Sequence, residues 1–428
     1  MICATISIRR RRRRFDRPPS AAAKKPARAA ANSANAQPMQ SRSLAVLVLV
    51  VLIGMTGFGV FLPIFPFLAL ELNASPTATT IAMGAYSFGQ LVSSPFWGRL
   101  SDRIGRKPVL IAGLLGGVVS YLWIARAGSV EELGAARLFG GLMAGNVGAA
   151  FAAAADLADN RTRARNMGFL GAAVGLGFIA GPAFGAWLIG DAPDRAAFAS
   201  VCLISAALAG VAAFAAFAFF TETHAAPVRA AHRDTPRLSH VALLGARPAL
   251  ARFAAVMLLA IAAQALMETT FGLWAEAEFG WGPREVGWTL AGLGVGAVML
   301  QGGLAGRAAR VLGERTTLLI GLALFAAGFG GLAVSHEPAT MAAALTALVI
   351  GIGLATPALN ALIAEQAGEG ERGAVMAISQ SAGALGRVLG PLGAGALFEH
   401  VGIAAPFVAA ALLILAALFV ALSEPLAS

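Results

Sequence analysis

Hydrophobic residues in this chain are gathered into long runs that are separated by short charged or Gly/Pro-rich breaks. Twelve runs of about 20 residues can be recognised in this way. In chain order they are segments 1 to 12, near 44–70, 79–97, 108–126, 133–155, 167–189, 197–220, 251–275, 286–305, 316–334, 340–363, 374–396 and 404–423. Only helices satisfy their own backbone polar groups over this length in lipid. The pattern therefore predicts an all-α membrane protein with twelve transmembrane helices.

The breaks also divide the chain into two similar halves. The longest internal break, 221–250, is polar and predicts a linker between a six-helix bundle at 43–220 and a second one at 251–424. Five residues recur at one constant offset: Asp156, Arg163, Met167, Gly181 and Pro182 correspond to Glu365, Arg372, Met376, Gly390 and Pro391. Repetition at a fixed offset predicts two six-helix pseudo-repeats.

The basic residues between the segments predict the orientation of the chain. One set of loops collects most of them, namely Arg99, Arg103, Arg106, Lys107, Arg161, Arg163, Arg165, Arg229, Arg233, Arg237, Arg247, Arg252, Arg307, Arg310, Arg315 and Arg372. The opposite loops hold Arg126, Arg195 and Arg284. Because cytoplasmic loops are rich in Lys and Arg, both termini are expected in the cytoplasm. Arginine-rich, lysine-poor composition adds the expectation of a bacterial inner membrane.

Composition excludes an ordinary soluble protein, since 58% of residues are hydrophobic, 13% are charged and the mean hydropathy is +0.74. The net charge of +10 comes from residues 1–42, which include the run Arg9–Arg14. This stretch is expected to be a disordered basic tail, with Met39 as an alternative start of translation. The remaining chain is balanced in charge, so no nucleic-acid partner is expected.

A charged stretch between segments 2 and 3, Gly98–Pro108, reads G-R-L-S-D-R-I-G-R-K-P. It resembles the loop between helices 2 and 3 of major facilitator superfamily transporters. A degraded copy, Gly302–Arg307, has Gly306 at the position of Asp102. The resemblance implies the two-repeat fold of that family and a gate at this loop. Asp102 is expected near the start of segment 11, and Arg103 and Arg106 near acids at neighbouring helix ends. The gating residues expected from this are Gly98, Asp102, Arg103, Gly105, Arg106, Asp156, Arg163, Glu365 and Arg372. A purely topological basic loop is the alternative.

Segment 5 carries glycines at helical spacing around a proline. Its stretch 177–186, G-F-I-A-G-P-A-F-G-A, resembles the antiporter motif of the drug-exporting branches of the superfamily. Gly177, Gly181, Pro182 and Gly185 carry this resemblance, which implies export rather than uptake. The alternative is a small-residue face that serves only helix packing.

Three ionisable residues stand out inside the predicted spans, where such groups are costly and mark functional sites. Glu268 is a carboxylate well inside segment 7 and is expected to carry the proton or to meet a cationic substrate. Arg137 in segment 4 resembles the arginine that the family links to proton coupling. Arg387 in segment 11 is expected either to pair with Glu268 or to receive an anionic group. Passive structural roles stay open for all three.

Polar and aromatic residues inside the segments predict the lining of a substrate cavity: Phe58, Gln90, Asn146, Gln264, Phe271, Trp274 and Asn360. The chain resembles drug:proton antiporters of the tetracycline-efflux type over about 44–423. It has Gly54, Ser120 and Phe325 where those exporters carry acids, which weakens tetracycline as the substrate.

The sequence thus predicts a proton-coupled antiporter that exports drugs or small amphipathic metabolites by alternating access. A proton-coupled importer of a sugar, amino acid or organic acid is the alternative, and a non-transporting receptor is a more remote one. The expected partners are a small-molecule substrate, protons and the lipid bilayer, and the protein is expected to be monomeric. No enzyme activity, cofactor or metal site is predicted; the sequence has no phosphate-binding loop of the ATP-driven pumps.

Overall fold

A computed structural model describes residues 25–158, 162–190, 193–223, 240–368 and 371–423, with side chains omitted at 25–41, 163–164, 240–242, 301–302 and 372–373. All regular structure in these ranges is helical. In chain order the helices are α1 Lys25–Glu71, α2 Pro76–Ile104, α3 Arg106–Arg126, α4 Val130–Leu142, α5 Asn146–Asp156, α6 Arg163–Ile189, α7 Arg195–Phe219, α8 His240–Ala246, α9 Pro248–Phe279, α10 Pro283–Met299, α11 Ala305–Leu312, α12 Glu314–Ala333, α13 Pro338–Glu365, α14 Arg372–His400 and α15 Ala405–Leu422.

Two of the predicted segments are interrupted. Segment 4 is split into α4 and α5 by a break at 143–145, and segment 8 is split into α10 and α11 by the π-helical turn Leu300–Leu304. At the first break, side chains of α2 bind carbonyls at the end of α4. Trp97 Nε1 donates to Leu142 O at 2.6 Å and Ser93 Oγ donates to Gly141 O at 3.3 Å. These bonds compensate for helical hydrogen bonding that is lost at the break.

The same packing pattern occurs in both halves. In the first half α1 packs on α6, α2 on α4, and α3 on α7; in the second, α9 packs on α14, α10 on α13, and α12 on α15. Between the halves α2 packs on α14 and α6 packs on α10. Each of these contacts has its counterpart in the other half, so the sequence repeat corresponds to a structural pseudo-repeat.

Nine helical stretches among the described residues are long and apolar enough to cross a membrane. The predicted segments that fall short of this criterion are those of α2, α10 with α11, and α14. Helices α2, α10 and α14 all pack across the boundary between the halves. A helix that faces another helix instead of lipid can carry more polar and small residues, which explains their lower hydropathy.

The structure describes parts of the predicted N-terminal tail and of the predicted linker. Helix α1 begins at Lys25, so it includes residues 25–42 of the predicted tail. Alanine-rich sequence in this stretch favours extension of the helix. Within the predicted linker, α8 and the start of α9 are also helical, whereas 1–24 and 224–239 lie outside the described residues.

The contacts between α2 and α14 differ along their length. At the end far from the Gly98–Pro108 loop, Thr77 Oγ1 donates to Glu399 at 2.7 Å and the Gly395 amide donates to Thr80 Oγ1 at 3.0 Å. Closer to that loop, Gln90 of α2 and Gln380 of α14 line a cavity instead. The halves are therefore in hydrogen-bonded contact at one end and separated by a cavity toward the other.

Candidate functional site

The carboxylate of Glu268 forms an ion pair in the middle of the bundle. Arg387 Nη1 of α14 lies 3.3 Å from Glu268 Oε2, and Gln264 Nε2, one turn earlier on α9, donates to Glu268 Oε1 at 2.7 Å. Both carboxylate oxygens thus accept hydrogen bonds. The Glu268 side chain is 14% exposed and that of Arg387 is 32% exposed, so the pair is accessible from a cavity.

Two cavities meet at Arg387 of this ion pair. An apolar one of about 240 Å³ lies between the halves, and Gln264, Glu268 and Arg387 supply its polar wall. Its apolar wall comes from both halves: Leu62, Phe178, Pro182, Met267, Leu290, Leu293, Val298, Leu348, Val349 and Ile352. A more polar cavity of about 290 Å³ is lined by Ser87, Gln90, Thr356, Asn360, Ser379, Gln380 and Arg387, among others. Arg387 belongs to both walls.

The polar cavity has unused hydrogen-bonding capacity. Asn360 Oδ1 and Ser379 Oγ are buried and, among the residues that the structure describes, neither atom has a hydrogen-bond partner. Buried polar atoms without partners are uncommon in folded proteins and call for an explanation such as water or a ligand. The two cavities together reach the size of a small-molecule site, roughly 300–1,000 Å³.

Arg387 has an informative counterpart in the first half. The sequence repeat aligns it with Phe178 of α6, and both side chains line the apolar cavity. Equivalent backbone positions therefore supply an aromatic ring on one side of the cavity and a cation on the other. The site is chemically asymmetric although the scaffold is pseudo-symmetric.

The predicted cavity residues are distributed over several places. Gln264, Gln90 and Asn360 line the two central cavities. Phe271 and Trp274 do not: each is 1% exposed, and their rings pack on each other with centroids 5.8 Å apart in the core of the second half. Packing in the second half buries both rings, and hydropathy alone could not distinguish the buried positions of α9 from the cavity-facing ones.

Arg137 lies in a separate site within the first half. Its guanidinium carbon is 4.7 Å from the centroid of the Tyr86 ring and within 6.0 Å of three phenylalanine rings, those of Phe58, Phe61 and Phe65. The expected cavity residue Phe58 therefore belongs to this aromatic cage. Among the described residues no carboxylate pairs with Arg137. Its role in proton coupling stays a prediction.

A third cavity, of about 50 Å³, adjoins Arg137. It is lined by Tyr86, Ser120, Tyr121, Asn146 and Ser205 together with Gly54 and apolar residues. The predicted cavity residue Asn146 thus faces this small space and not the central one. Gly54 and Ser120 occupy two of the positions at which the resemblance led to an expectation of acids, and they leave the cavity without a carboxylate.

The Gly98–Pro108 loop forms a compact polar network around Arg106, which is 8% exposed. Arg106 Nη1 lies 2.8 Å from Asp102 Oδ1 and also donates to Ser101 Oγ, while Arg106 Nε lies 3.0 Å from Asp156 Oδ2 at the end of α5. One guanidinium thus joins the ends of α2, α3 and α5. All of these residues belong to the first half.

Glu222, just after α7, completes this network and was not singled out by the sequence. Its two carboxylate oxygens accept hydrogen bonds from the backbone amides of Arg106, at 2.9 Å, and Lys107, at 3.1 Å. A carboxylate at a helix N-terminus satisfies free amides and interacts favourably with the helix dipole. Gly105 precedes these amides with φ of +110°. No sequence pattern links Glu222 to the Gly98–Pro108 loop, because over a hundred residues separate Glu222 from the loop.

Three other expected gating residues, Arg103, Glu365 and Gly98, are exposed and make fewer contacts than Arg106. Arg103 and Glu365 are exposed and form no ion pair among the residues that the structure describes. Gly98 is exposed, and a Cβ there would contact nothing within 4 Å. The side chains of Arg163 and Arg372 lie outside the described part of the chain. In the second half an ion pair joins Arg247 and Glu371, with Nη2 2.5 Å from Oε2, which the sequence also did not indicate.

The glycines of the segment 5 motif face α1. A Cβ at Gly181 would lie 2.6 Å from the Cα of Gly59, and one at Gly177 or Gly185 would crowd Met55 or Val60. Close approach of two backbones requires glycine on both sides here. The carbonyl of Pro182 in turn faces Gly287 of α10. The motif therefore holds α6 tightly between α1 and the second half.

Comparison with known proteins identifies the family. The family model described as Major Facilitator Superfamily matches residues 47–277 and 253–427. The chain belongs to the major facilitator superfamily. Members of this superfamily are transporters, and the chain is a multi-pass membrane protein. Its two matched regions correspond to the two halves seen in the structure.

Among curated members of the superfamily, the chain is similar to the class G tetracycline resistance protein of Vibrio anguillarum, with 32% identity over 84% of this chain and 91% of that protein. It is also similar to multidrug resistance protein 2 of Bacillus subtilis, with 27% identity over 83% and 88%. Among solved structures, a bacterial homologue of the human lysosomal transporter Spinster in an inward-facing, occupied conformation matches with a TM-score of 0.74 and 13% identity, covering 90% of this chain and 96% of that one. That likeness concerns the fold.

Proposed function

We propose that this protein is a proton-coupled antiporter that exports drugs or small amphipathic molecules across a bacterial inner membrane. The observation that carries the proposal is the Glu268–Arg387 ion pair, which lies in the wall of an apolar cavity and whose arginine also lines a polar cavity. The similarity to tetracycline and multidrug resistance proteins supports drug-like substrates.

The Glu268–Arg387 ion pair favours exchange of a proton for the substrate over transport of both in the same direction. Glu268 accepts hydrogen bonds on both oxygens from groups that a ligand can replace. A proton on the carboxylate removes the negative charge that a cationic or hydrogen-bond-donating substrate needs. Proton and such a substrate therefore exclude each other, which is the requirement for antiport.

The charge of the substrate distinguishes the proposed export from proton-coupled import. An anionic substrate would bind Arg387 after a proton has neutralised Glu268, so that proton and substrate travel together. A neutral or cationic amphiphile would instead displace Arg387 and Gln264 from Glu268. The mostly apolar wall and the aromatic ring of Phe178 favour the amphiphile.

Alternating access would reuse the contacts at the two ends of the bundle. In the conformation described here, Thr77 and Thr80 of α2 bind α14 at one end. We assign this closed end to the outside, because the basic Gly98–Pro108 loop lies at the other end. The Arg106 network is proposed to hold α2, α3 and α5 as one unit that moves against α14 when the outer contacts break.

The membrane potential and the pH gradient together are sufficient to drive accumulation of the substrate on one side of the membrane. A membrane potential of 100 mV is worth about 2.3 kcal/mol for each charge moved. Each unit of pH gradient adds about 1.4 kcal/mol per proton. Exchange of one proton for one neutral molecule can use both terms.

The proposal is tested in proteoliposomes with ethidium and tetracycline as probes and an imposed pH gradient. E268Q is expected to lower gradient-driven uptake of both probes by about tenfold or more, because the carboxylate can no longer exchange a proton. E276Q is the matched control, since Glu276 lies on the same helix with an exposed side chain. Normal gradient-driven transport by E268Q would disprove the coupling assignment.

A further inference from the structure

Arg137 is a buried cation whose charge the described residues leave uncompensated. The residue is 5% exposed, and its Nε has no hydrogen-bond partner in the described part of the chain. No ion pair or hydrogen bond of its guanidinium to any described residue is present, and its neighbours are rings of Phe58, Phe61, Phe65 and Tyr86.

The aromatic cage alone does not account for this arrangement. Ring faces attract a guanidinium, but the attraction is small compared with the loss of hydration of a charge inside a membrane protein. Buried charges are therefore paired as a rule, or they meet an ion or a water-filled space. No side chain of the cage accepts a hydrogen bond from the guanidinium N–H groups of Arg137.

The adjoining cavity has the chemistry of an anion site. Its lining contains Arg137 together with the hydroxyl groups of Tyr86, Ser120, Tyr121 and Ser205 and the amide of Asn146, and it contains no carboxylate. Among these, Ser120 already donates to Ala136 O at 2.8 Å. The other hydroxyl groups and the Asn146 amide can each direct an O–H or N–H donor toward a bound anion. None of these neutral groups needs a cation as its partner.

The size of the cavity limits the ligand. At about 50 Å³ it exceeds the roughly 10–15 Å³ that one water needs and falls far below the roughly 300–1,000 Å³ of drug-sized sites. A monatomic anion with one or two waters fits, whereas an organic substrate does not.

We propose that the Arg137 cavity binds a small monovalent inorganic anion, with chloride as the expected occupant. The anion neutralises the guanidinium, and the hydroxyl and amide donors of the cavity complete its coordination. This site lies within the first half, and its lining shares no residue with the cavity at the Glu268–Arg387 pair.

The test measures thermal unfolding of the purified full-length protein in detergent, with sodium chloride, sodium bromide or sodium gluconate at equal ionic strength. Chloride and bromide are expected to raise Tm in a saturable manner, because an ion that binds only the folded state stabilises it. Gluconate is too large for the cavity and serves as the ionic-strength control. An equal effect of all three salts, or no effect of the halides, would overturn the proposal.

Substitutions of single arginines test whether the halide effect on Tm arises at Arg137. R137Q is expected to lower the apparent halide affinity at least tenfold, whereas R126Q, which removes an exposed arginine of α3, is expected to leave it unchanged. Halide stabilisation that persists in R137Q would also overturn the proposal. The measurement needs no transport, so it can fail or succeed independently of the E268Q experiment.

A second variant covers the case that R137Q does not fold. A Cβ at Gly54 would meet only Asn146 Nδ2, at 3.7 Å, so a side chain fits there in ordinary contact. Gly54→Asp places a covalently attached carboxylate in the cavity and is expected to abolish the halide dependence of Tm. Gly54→Ala, the control for added volume, is expected to retain it. Halide dependence that is equal in both variants would contradict the site.

Discussion

The carboxylate of Glu222 occupies the space in which a side chain at Gly105 would lie. Gly105 itself ends α2 and precedes α3, with φ of +110° and its amide bonded to Ser101 O at 3.1 Å. Backbone conformation and close approach therefore both require glycine at this position. This explains one glycine of the basic loop in physical terms, and it distinguishes that glycine from Gly98.

The two loop glycines are expected to respond differently to alanine. Gly105→Ala should destabilise the protein by about 1–2 kcal/mol or more, because a Cβ is strained at positive φ and displaces Glu222. Gly98→Ala is the matched control and should stabilise by about 0.5–1 kcal/mol, since Gly98 lies in an exposed helical turn with free space around it. Thermal or denaturant unfolding in detergent measures both. Equal losses would show that the Glu222 contact is not the cause.

Removal of the Glu222 carboxylate should weaken the start of α3. Glu222→Ala takes away the acceptor for the amides of Arg106 and Lys107, and the expected loss is about 0.5–2 kcal/mol, as for other helix N-caps. Glu365→Ala, which removes an exposed carboxylate at the end of α13, is the control and should change stability little. Hydrogen exchange at the first turn of α3 localises the effect; unchanged protection there would contradict the assignment.

The Glu268–Arg387 pair should behave as a coupled unit in a double-mutant cycle. Arg387→Gln leaves a partly buried carboxylate with Gln264 as its remaining partner, so it should destabilise the protein. The double variant E268Q/R387Q removes both charges and should recover part of the loss, with an interaction energy of about 0.5–3 kcal/mol. Additive effects in chemical unfolding would mean that the two side chains do not interact in solution.

Acidification should loosen the contact between α2 and α14 at the end that we assign to the outside. The Thr77 hydroxyl and amide, which donate to Glu399, hold the pKa of that carboxyl below its usual range. A carboxyl with a lowered pKa contributes its stabilisation at neutral pH and loses it as the pH falls through that lowered pKa. The contact is therefore intact at pH 7 and lost in strong acid.

Spin labels at positions 131 and 401, which are exposed on the two halves at this end, report the distance between the halves. The distance is expected to increase when the pH is lowered from 7 to below the lowered pKa of Glu399 in the otherwise unchanged protein. E399Q should show the longer distance already at pH 7, while E276Q should behave like the parent. A distance that does not depend on pH in the parent would contradict this role of Glu399.

The sequence predicted some contacts of the site and missed others. Glu268 and Arg387 were both singled out as charges within apolar runs, and pairing with each other was one of the expectations for Arg387. Phe271 and Trp274 were expected at the cavity as apolar contacts, yet they lie in the core. A run that is apolar on all sides contains no signal for which face meets lipid, core or cavity.

The amino-acid sequence by itself determined the helical segments, the two-fold repeat, the basic loop and the charged residues of the interior. These follow from length, hydropathy and the cost of charge in lipid, which are properties of each segment alone. Tertiary structure decided which charges have partners: Arg387 meets Glu268, Arg106 meets Asp102 and Asp156, and Arg137 meets aromatic rings. It also brought Glu222 to α3 from a distant part of the chain. Such pairings depend on how helices pack and rotate, and glycine contacts between backbones set that packing.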